Sequence, residues 1–470
     1  MLNDHPSAHG NGSIAGALAI ALGFAGLLNA QPAPSSGLTI AQAVDAAQRA
    51  YPSIQVSQEQ INAAAAGIQL ARTAYLPRVD ALAQVNRATR NNVFGLLLPQ
   101  GVIPSISGPV LGTNTFGTAW GSALGFLVTW EPFDFGLRQA NVNAATAARA
   151  QSEAALKRTQ FDVAAAAADA YVTLVATQET VRAAQAGVDR AEVISRTIRA
   201  QVNAQLRPGA DASRADAELA AARTQLIQAQ QTVEVARANL SQFVGLPPAQ
   251  IAVAAPKLLQ LPAQEEPAQL NAAVNPISVE QNALIEQLKA QLRILERSYF
   301  PRFFAQASAY ARGTGAEVNG NNLGGLNGLA PTVQNAALGF TVTFPLFDLP
   351  SIRAKESAQS ATIRAETARL RQITTDLTVQ WNRAVASLSG ARNVAANTPI
   401  QVAAARTATE QATARYQSGL GNIDEVAEAQ RLLTQSEIDD ALARLSVWRA
   451  LLGIATAAGD IQPFLMEASQ

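Results

Sequence analysis

The stretch Trp120-Gly121-Ser122-Ala123-Leu124-Gly125-Phe126-Leu127-Val128-Thr129-Trp130 puts Trp120, Leu124, Phe126, Val128 and Trp130 on one parity. Gly121, Ala123, Gly125 and Thr129 hold the other. A period of two belongs to a β-strand, whose successive side chains leave opposite faces. The pattern returns 214 residues later, where Leu338, Phe340, Val342 and Phe344 alternate with Ala337, Gly339, Thr341 and Thr343. Partner strands are expected from Arg78 to Arg87 and from Phe303 to Arg312. In the latter, Ala305, Ala307, Ala309 and Ala311 alternate with Gln306, Ser308, Tyr310 and Arg312. The Gly/Asn/Pro-rich segments between strands, Asn91 to Thr118 and Gly313 to Gln334, read as exposed loops.

These strands belong to a plan that occurs twice. Tyr75-Leu76-Pro77-Arg78 and Tyr299-Phe300-Pro301-Arg302 lie 224 residues apart, as do Pro52 and Pro276. Pro132-Phe133-Asp134 faces Leu346-Phe347-Asp348. The expected repeats cover 38–260 and 261–470, joined by a Pro/Gln/Ala-rich linker from Pro256 to Pro276. Each runs helix, strand, strand, long helix, returning helix. Ile54, Ile61, Ile68 and Leu70 have helical spacing between Pro52 and Pro77, and a matching helix runs from about Ile277 to Tyr299. Leu137 to Leu206 contains no proline and would reach ~105 Å as a helix. Its counterpart, Ser351 to Ser418, is interrupted only by Gly390 and Pro399 and reaches roughly 100 Å. The returning helices, Ala212 to Val244 and Asn422 to Leu452, have about half that length. Two half-length helices laid end to end could therefore line one long helix, leaving a central gap for a short piece such as Thr39 to Ala50.

Composition supports long, closely packed helices. Hydrophobic residues make up 48% of the chain but aromatics only 5%, and much of the rest is alanine, the best helix former. The expected fold is mainly α with a small β part. Thirty-five basic residues balance 35 acidic ones, so no net field draws the chain to nucleic acid. Cysteine is absent, which excludes disulfides, thiolate metal sites and a cysteine nucleophile. The two histidines, His5 and His9, precede the apolar run Ile14 to Leu28. That run reads as the core of a secretory signal over 1–30, with a buried or membrane helix as the alternative. No metal, cofactor or catalytic constellation is expected in a mature chain without Cys or His.

Four strands per chain cannot close a barrel, for which about eight are needed. Closure with other chains would cover the sheet edges and turn the apolar parity toward lipid. Trp120, Trp130, Phe133 and Phe135 would then supply an interfacial girdle. The competing reading is a small amphipathic sheet packed on the helices of a soluble periplasmic coiled-coil scaffold, with Phe126 and Phe340 buried against helices.

The sequence resembles the TolC-like outer-membrane efflux proteins over nearly all of its mature length. The Glu131-Pro132-Phe133-Asp134-Phe135-Gly136 and Phe344-Pro345-Leu346-Phe347-Asp348 segments match the family's junction between strand and long helix. Tyr416-Gln417-Ser418-Gly419, with Ile423, Glu425-Val426 and Ala429, matches its second helical hairpin turn. Gln205 to Ala215 matches the first, and Phe243-Val244-Gly245-Leu246-Pro247-Pro248 is also similar. The resemblance implies a homotrimer with a 12-stranded β-barrel in outer-membrane lipid and a helical tunnel through the periplasm. It implies a passive exit duct for small molecules or proteins and no enzymatic activity. The implied partners are a periplasmic membrane-fusion adaptor and an inner-membrane pump of RND, ABC or MFS type.

The implied sites are pore sites. Trp120, Leu124, Phe126, Val128, Trp130, Leu338, Phe340, Val342 and Phe344 would face lipid. Asp211, Glu425 and Glu428 match carboxylates that narrow the family's periplasmic entrance, and Tyr416 matches a tyrosine that helps hold it closed. Glu425 and Glu428 share a helical face, and an ordinary solvated helix start is the alternative explanation for them. An arginine of the family's closing network has no counterpart, because Gly421 stands there; Arg207 or Arg214 is the expected substitute.

Overall fold

The computed structural model describes residues 37–89, 116–263, 266, 269–317, 321 and 323–469. The expected signal segment and most of the first inter-strand loop lie outside the described residues.

The chain opens with α1 (Ile40–Ala50), α2 (Pro52–Thr73), β1 (Arg78–Thr89), β2 (Thr118–Phe133), α3 (Leu137–Asn203) and α4 (Gly209–Val244). After a 3-10 turn at Pro248–Gln250 come α5 (Pro276–Arg297), β3 (Arg302–Thr314), β4 (Val333–Thr343), α6 (Leu349–Gln417), α7 (Ile423–Ala458) and α8 (Gln462–Ser469). The succession helix, strand, strand, long helix, returning helix thus occurs twice.

Local sequence sets the boundaries. Thr39 and Gln42 form a reciprocal capping box at the start of α1. Asn275 and Asn422 cap α5 and α7 through their side-chain oxygens. Gly245 and Gly459, with φ of 73° and 83°, stop α4 and α7 in the left-handed conformation that favours glycine. The long helices α3 and α6 run to 67 and 69 residues. Helix α6 passes unbroken through Gly390 and Pro399, contrary to the expected interruption. A proline costs an internal helix about 3 kcal/mol. Packing of α6 along α7 outweighs that cost.

The half-length helices meet end to end as expected. Helices α2 and α4 both pack on α3, with Tyr51 stacked on Phe243 at their junction, ring centroids 5.4 Å apart. Helices α5 and α7 both pack on α3 and α6. The Asn275 side chain donates to the Thr456 and Ala457 carbonyls at the end of α7. The main core lies at this waist, where α1 covers α3 and α4 and α8 covers α7. Tyr171 is fully buried there and its hydroxyl lies 2.8 Å from both the Leu38 and Ala254 carbonyls. Helix α8 was not anticipated; Phe464 and Leu465 anchor it in the same core. Helix α7 is long and apolar enough to cross a membrane. Its apolar side chains are nevertheless largely spent on this packing, as Leu445, Val447 and Trp448 show.

The strands form one antiparallel sheet in the order β1-β2-β3-β4. Leu124 lies opposite Ala83 and Ala311, and Phe340 opposite Ala305. The β3–β4 loop folds back on the start of β2, where the Gly315 N–H donates to the Trp120 carbonyl at 2.7 Å. A Cβ on Gly313 would collide with the Ala330 carbonyl oxygen, so this close return requires glycine.

Candidate functional site

Two regions carry the functional argument: the sheet and the paired helical tips. The register places Val79, Ala81 and Ala83 of β1 opposite Val128, Phe126 and Leu124 of β2, with Val85 opposite Ser122; Trp130 lies opposite Ala305 of β3 on the same face. The alanines at 305, 307, 309 and 311 of β3, with Leu338, Phe340 and Val342 of β4, complete that face. Leu338 is 86% exposed, Phe340 63%, Phe126 60% and Leu124 57%. Trp130, Val342 and Phe344 are exposed, whereas Trp120 and Val128 are half-buried. Among the described residues no helix packs on the sheet. The expectation that Phe126 and Phe340 would be buried against helices therefore fails, and the soluble-scaffold reading fails with it. The opposite face carries Asp80, Gln84, Gly125, Gln306, Ser308 and Thr341. That opposite face also holds Leu82, Leu127, Phe304 and Tyr310, so exposed large apolar side chains dominate the first face while polar and small residues are interspersed on the second.

Trp120 and Trp130 sit ten residues apart on β2, about 33 Å along the strand. Strand tilt in a barrel reduces this to ~25 Å, the usual height of an apolar band. Trp120 marks the loop end. Trp130 and Phe133 are exposed at the helix end, where Phe135 is half-buried. Phe133 and Phe135 meet edge-on at 4.6 Å, and Phe135 stacks on Phe300 at 5.1 Å.

Beside these rings, β2 enters α3 through a buried ion pair. Asp134 and Arg138 are each 8% exposed, and the Arg138 Nε lies 3.0 Å from Asp134 Oδ2. Asp134 also accepts from the backbone N–H groups of Gly136 and Arg138. The Arg138 guanidinium reaches the Pro132 and Ala74 carbonyls and lies 4.6 Å from the centre of the Tyr75 ring. Sequence reasoning had noted Asp134 as a junction residue but missed Arg138. An i,i+4 acid–arginine pair beside Phe-Asp-Phe-Gly was the available signal.

At the far end, the α3/α4 turn and the α6/α7 turn pack together around Ile198, Ala215, Tyr416, Ile423 and Val426. Tyr416 is 5% exposed and its hydroxyl donates to Asp211 Oδ2 at 2.9 Å. Burial and the neighbouring Asp211 carboxylate push its phenol up to about 12, so it remains a donor at any ordinary pH. The Arg207 guanidinium lies 4.4 Å from the centre of the Tyr416 ring and donates to the Tyr416 carbonyl. Arg214 bridges to Asp424 at 3.1 Å. Both arginines singled out to replace the missing one therefore link the two turns within one protomer.

Glu425 and Glu428 do not stand unpaired. Arg415 lies 3.6 Å from Glu425, and Arg431 lies 2.6 Å from Glu428. Both pairs are largely exposed, so water screens the charges and each carboxylate remains available to ions. Glu425 also sits in the first turn of α7, where the helix dipole favours an acid.

A local prediction follows for the tip. Tyr416→Phe removes a hydrogen bond to a charged acceptor, worth about 1.5–3 kcal/mol. Amide hydrogen exchange around residues 203–212 and 416–424 should accelerate, with exchange at the waist unchanged. Uniform protection across both regions would show that this bond does not hold the turns together.

Comparisons with known proteins give the same architecture. The family profile described as Outer membrane efflux protein matches residues 43–246 and 273–460. No curated protein matches the chain by sequence comparison. Among solved structures, the Campylobacter jejuni CmeC outer membrane channel aligns with a TM-score of 0.70 at 14% identity, covering 92% of this chain and 89% of that one. The outer membrane protein VceC from Vibrio cholerae gives 0.68 at 17% identity, with 90% and 96% covered. The open state of the Neisseria gonorrhoeae MtrE outer membrane channel gives 0.70 at 18% identity, with 90% of each covered. With the profile spanning most of the chain and the fold shared from sheet to helical tips, the protein belongs to the outer membrane efflux protein family and resides in the outer membrane.

Proposed function

We propose that three copies of this chain assemble into a passive exit duct. Their twelve strands close one barrel in outer-membrane lipid, and their helices form a tunnel in the periplasm. In this reading each chain contributes two repeats, 38–260 and 261–470. The duct receives cargo from an inner-membrane pump through a periplasmic adaptor. The observation that carries this reading is the sheet itself. Among the described residues it is four strands wide, has an exposed face of apolar side chains and an opposite face that mixes polar, small and apolar ones, and leaves the outer edges of β1 and β4 without a paired strand. A sheet with two free edges and a lipid-type face is completed by further copies of itself.

In this reading Asp211, Tyr416 and Arg207 hold the periplasmic entrance narrow, and Glu425 and Glu428 give it cation preference. The test uses purified protein in detergent and in planar bilayers. The expected species is a trimer that conducts ions and prefers cations. Glu425→Gln combined with Glu428→Gln should move the reversal potential in a salt gradient toward the unselective value. A soluble monomer without conductance would overturn the duct. A conducting trimer with unchanged reversal potential would overturn the entrance assignment alone.

A further inference from the structure

The β3–β4 loop crosses the apolar side of the sheet at the end away from the helices. Gly313 stands directly opposite Ser122, and such pairs share a face, here that of Leu124 and Phe126. A Cβ on Gly313 would meet the carbonyl oxygens of Ala330 and Gly328, and one on Gly315 the Asn327 carbonyl oxygen. Residues 327–330 therefore lie over β2 and β3 on the apolar side. They cover Ser122, the one polar residue of that parity between Trp120 and Trp130.

The loop presents apolar surface outward. Leu326 is 73% exposed and Leu323 48%, and no charged residue occurs from Leu323 to Ala330. The backbone is engaged within the hairpin. Asn327 Nδ2 donates at 2.9 Å to the Leu323 and Gly324 carbonyls, and the Leu323 N–H donates to the Gly315 carbonyl at 2.9 Å. Internally bonded backbone with leucines outside suits a lipid interface, where unmet polar groups are costly.

Arg87 stands on the other flank of Trp120, directly opposite it in β1 and on the same face as Ala83 and Val85. Its guanidinium carbon lies 5.3 Å from the centre of the Trp120 ring, and its Nε donates to Thr118 Oγ1 at 2.9 Å. Thr118 is two residues nearer the loops, so the side chain runs outward along the strand, as an arginine at a membrane boundary does. Among the described residues no carboxylate pairs with Arg87, Glu317 of the same hairpin included.

We propose that this rim docks lipid of the outer leaflet. The terminal nitrogens of Arg87 take a headgroup phosphate, Leu323 and Leu326 enter the adjoining interfacial layer, and Trp120 lies between. A forked guanidinium matches phosphate geometry, and an indole is at home at that depth. The leucines extend the apolar band of Leu124, Phe126 and Leu338 toward the loops. The proposal rests on the lipid-facing reading of the sheet and adds to it a headgroup site and a role for the loop.

The test uses the full-length protein with a single bimane label on Leu326→Cys, reconstituted in phosphatidylcholine vesicles. Brominated lipid should quench the label and aqueous iodide should not. At equal mole fraction, brominated phosphatidic acid should associate about fivefold more strongly than brominated phosphatidylcholine, the scale of one arginine at an anionic surface. Arg87→Gln should bring that ratio close to one, and because Arg87 is exposed the variant keeps the fold. The same label on Phe340→Cys reports on the sheet. Lipid quenching at 340 with only iodide quenching at 326 would overturn the loop docking and leave the lipid-facing sheet intact. Protection of 326 from both quenchers would place the leucines against protein and overturn the docking as well. Equal association of the two lipids, or a preference unchanged by Arg87→Gln, would overturn the phosphate site. Absence of lipid quenching at both positions would overturn the lipid-facing sheet together with this rim.

Discussion

Replacing Arg138 with alanine should cost about 3–5 kcal/mol, because it strands the buried Asp134 carboxylate without its guanidinium. The loss should appear in chemical denaturation of the detergent-solubilised protein. Asp134→Ala combined with Arg138→Met should cost less than Arg138→Ala alone, since apolar replacement of both partners removes the stranded charge. The acid dependence has a definite sign. Burial opposes the Asp134 charge, but the backbone N–H groups of Arg138 and Gly136 and the Arg138 side chain prevail and hold its pKa below the usual aspartate value. A carboxylate depressed in the folded state contributes stability that is fully present above its unfolded pKa, near 4. That stability is lost as pH falls through the lower folded value. Without Arg138 that pKa rises, so the stability gap between wild type and Arg138→Ala should narrow as pH falls below about 4. The second junction offers the contrast. Asp348 is exposed and its side chain caps nothing, and Ile352 stands four residues on. Asp348→Ala should change stability by no more than about 0.5 kcal/mol.

Trp448→Ala is expected to be equally severe, about 3–5 kcal/mol. The indole is fully buried, meets Phe464 edge-on at 6.2 Å, and donates through Nε1 to the Gln260 carbonyl at 2.8 Å. The alanine variant leaves a cavity and an unpaired carbonyl together. It also releases the two elements that Trp448 ties to α7, the segment before α5 and helix α8. Limited proteolysis should cut near residues 247–263 before any cut in α3 or α6. Trp448→Phe, which keeps most of the volume and loses only the hydrogen bond, should cost about 1–3 kcal/mol. Equal losses for the two variants would mean that packing contributes little at this position.

Much of the architecture was legible because it rests on local periodicity. Alternation over residues 120–130 and 338–344 located β2 and β4, and the proline-free run after Leu137 located α3. End-to-end pairing of the short helices followed from their lengths alone. Other features were hidden for identifiable reasons. Helix α8 is eight residues long, too short to show a period, and depends on Trp448 and the waist core. Pro399 looked like a break because the sequence does not display the continuous packing of α7 against α6. Parity also failed at one position. Ser122 shares the parity of the exposed apolar residues but is 9% exposed, next to the returning β3–β4 loop.

The tip shows where sequence reasoning stops. Tyr416 and Asp211 were named from resemblance, yet their hydrogen bond joins residues 205 positions apart, and no local pattern encodes it. Arg207 was one of two candidates. Only the folded tips show that it covers the Tyr416 ring while Arg214 reaches Asp424. The partners of Glu425 and Glu428 are different in kind. Arg431 sits three residues beyond Glu428, within helical reach and readable in advance.

Site-directed spin labelling along β4 tests the membrane assignment most directly, and the absence of native cysteine makes single-cysteine labels straightforward. Labels at 338 and 340 in reconstituted protein should be accessible to lipid-soluble oxygen and protected from a water-soluble nickel chelate. Labels at 339 and 341 should show the reverse. The same accessibility on both parities, or protection of 338 and 340 from both reagents, would contradict a sheet with hydrocarbon on one side and water on the other.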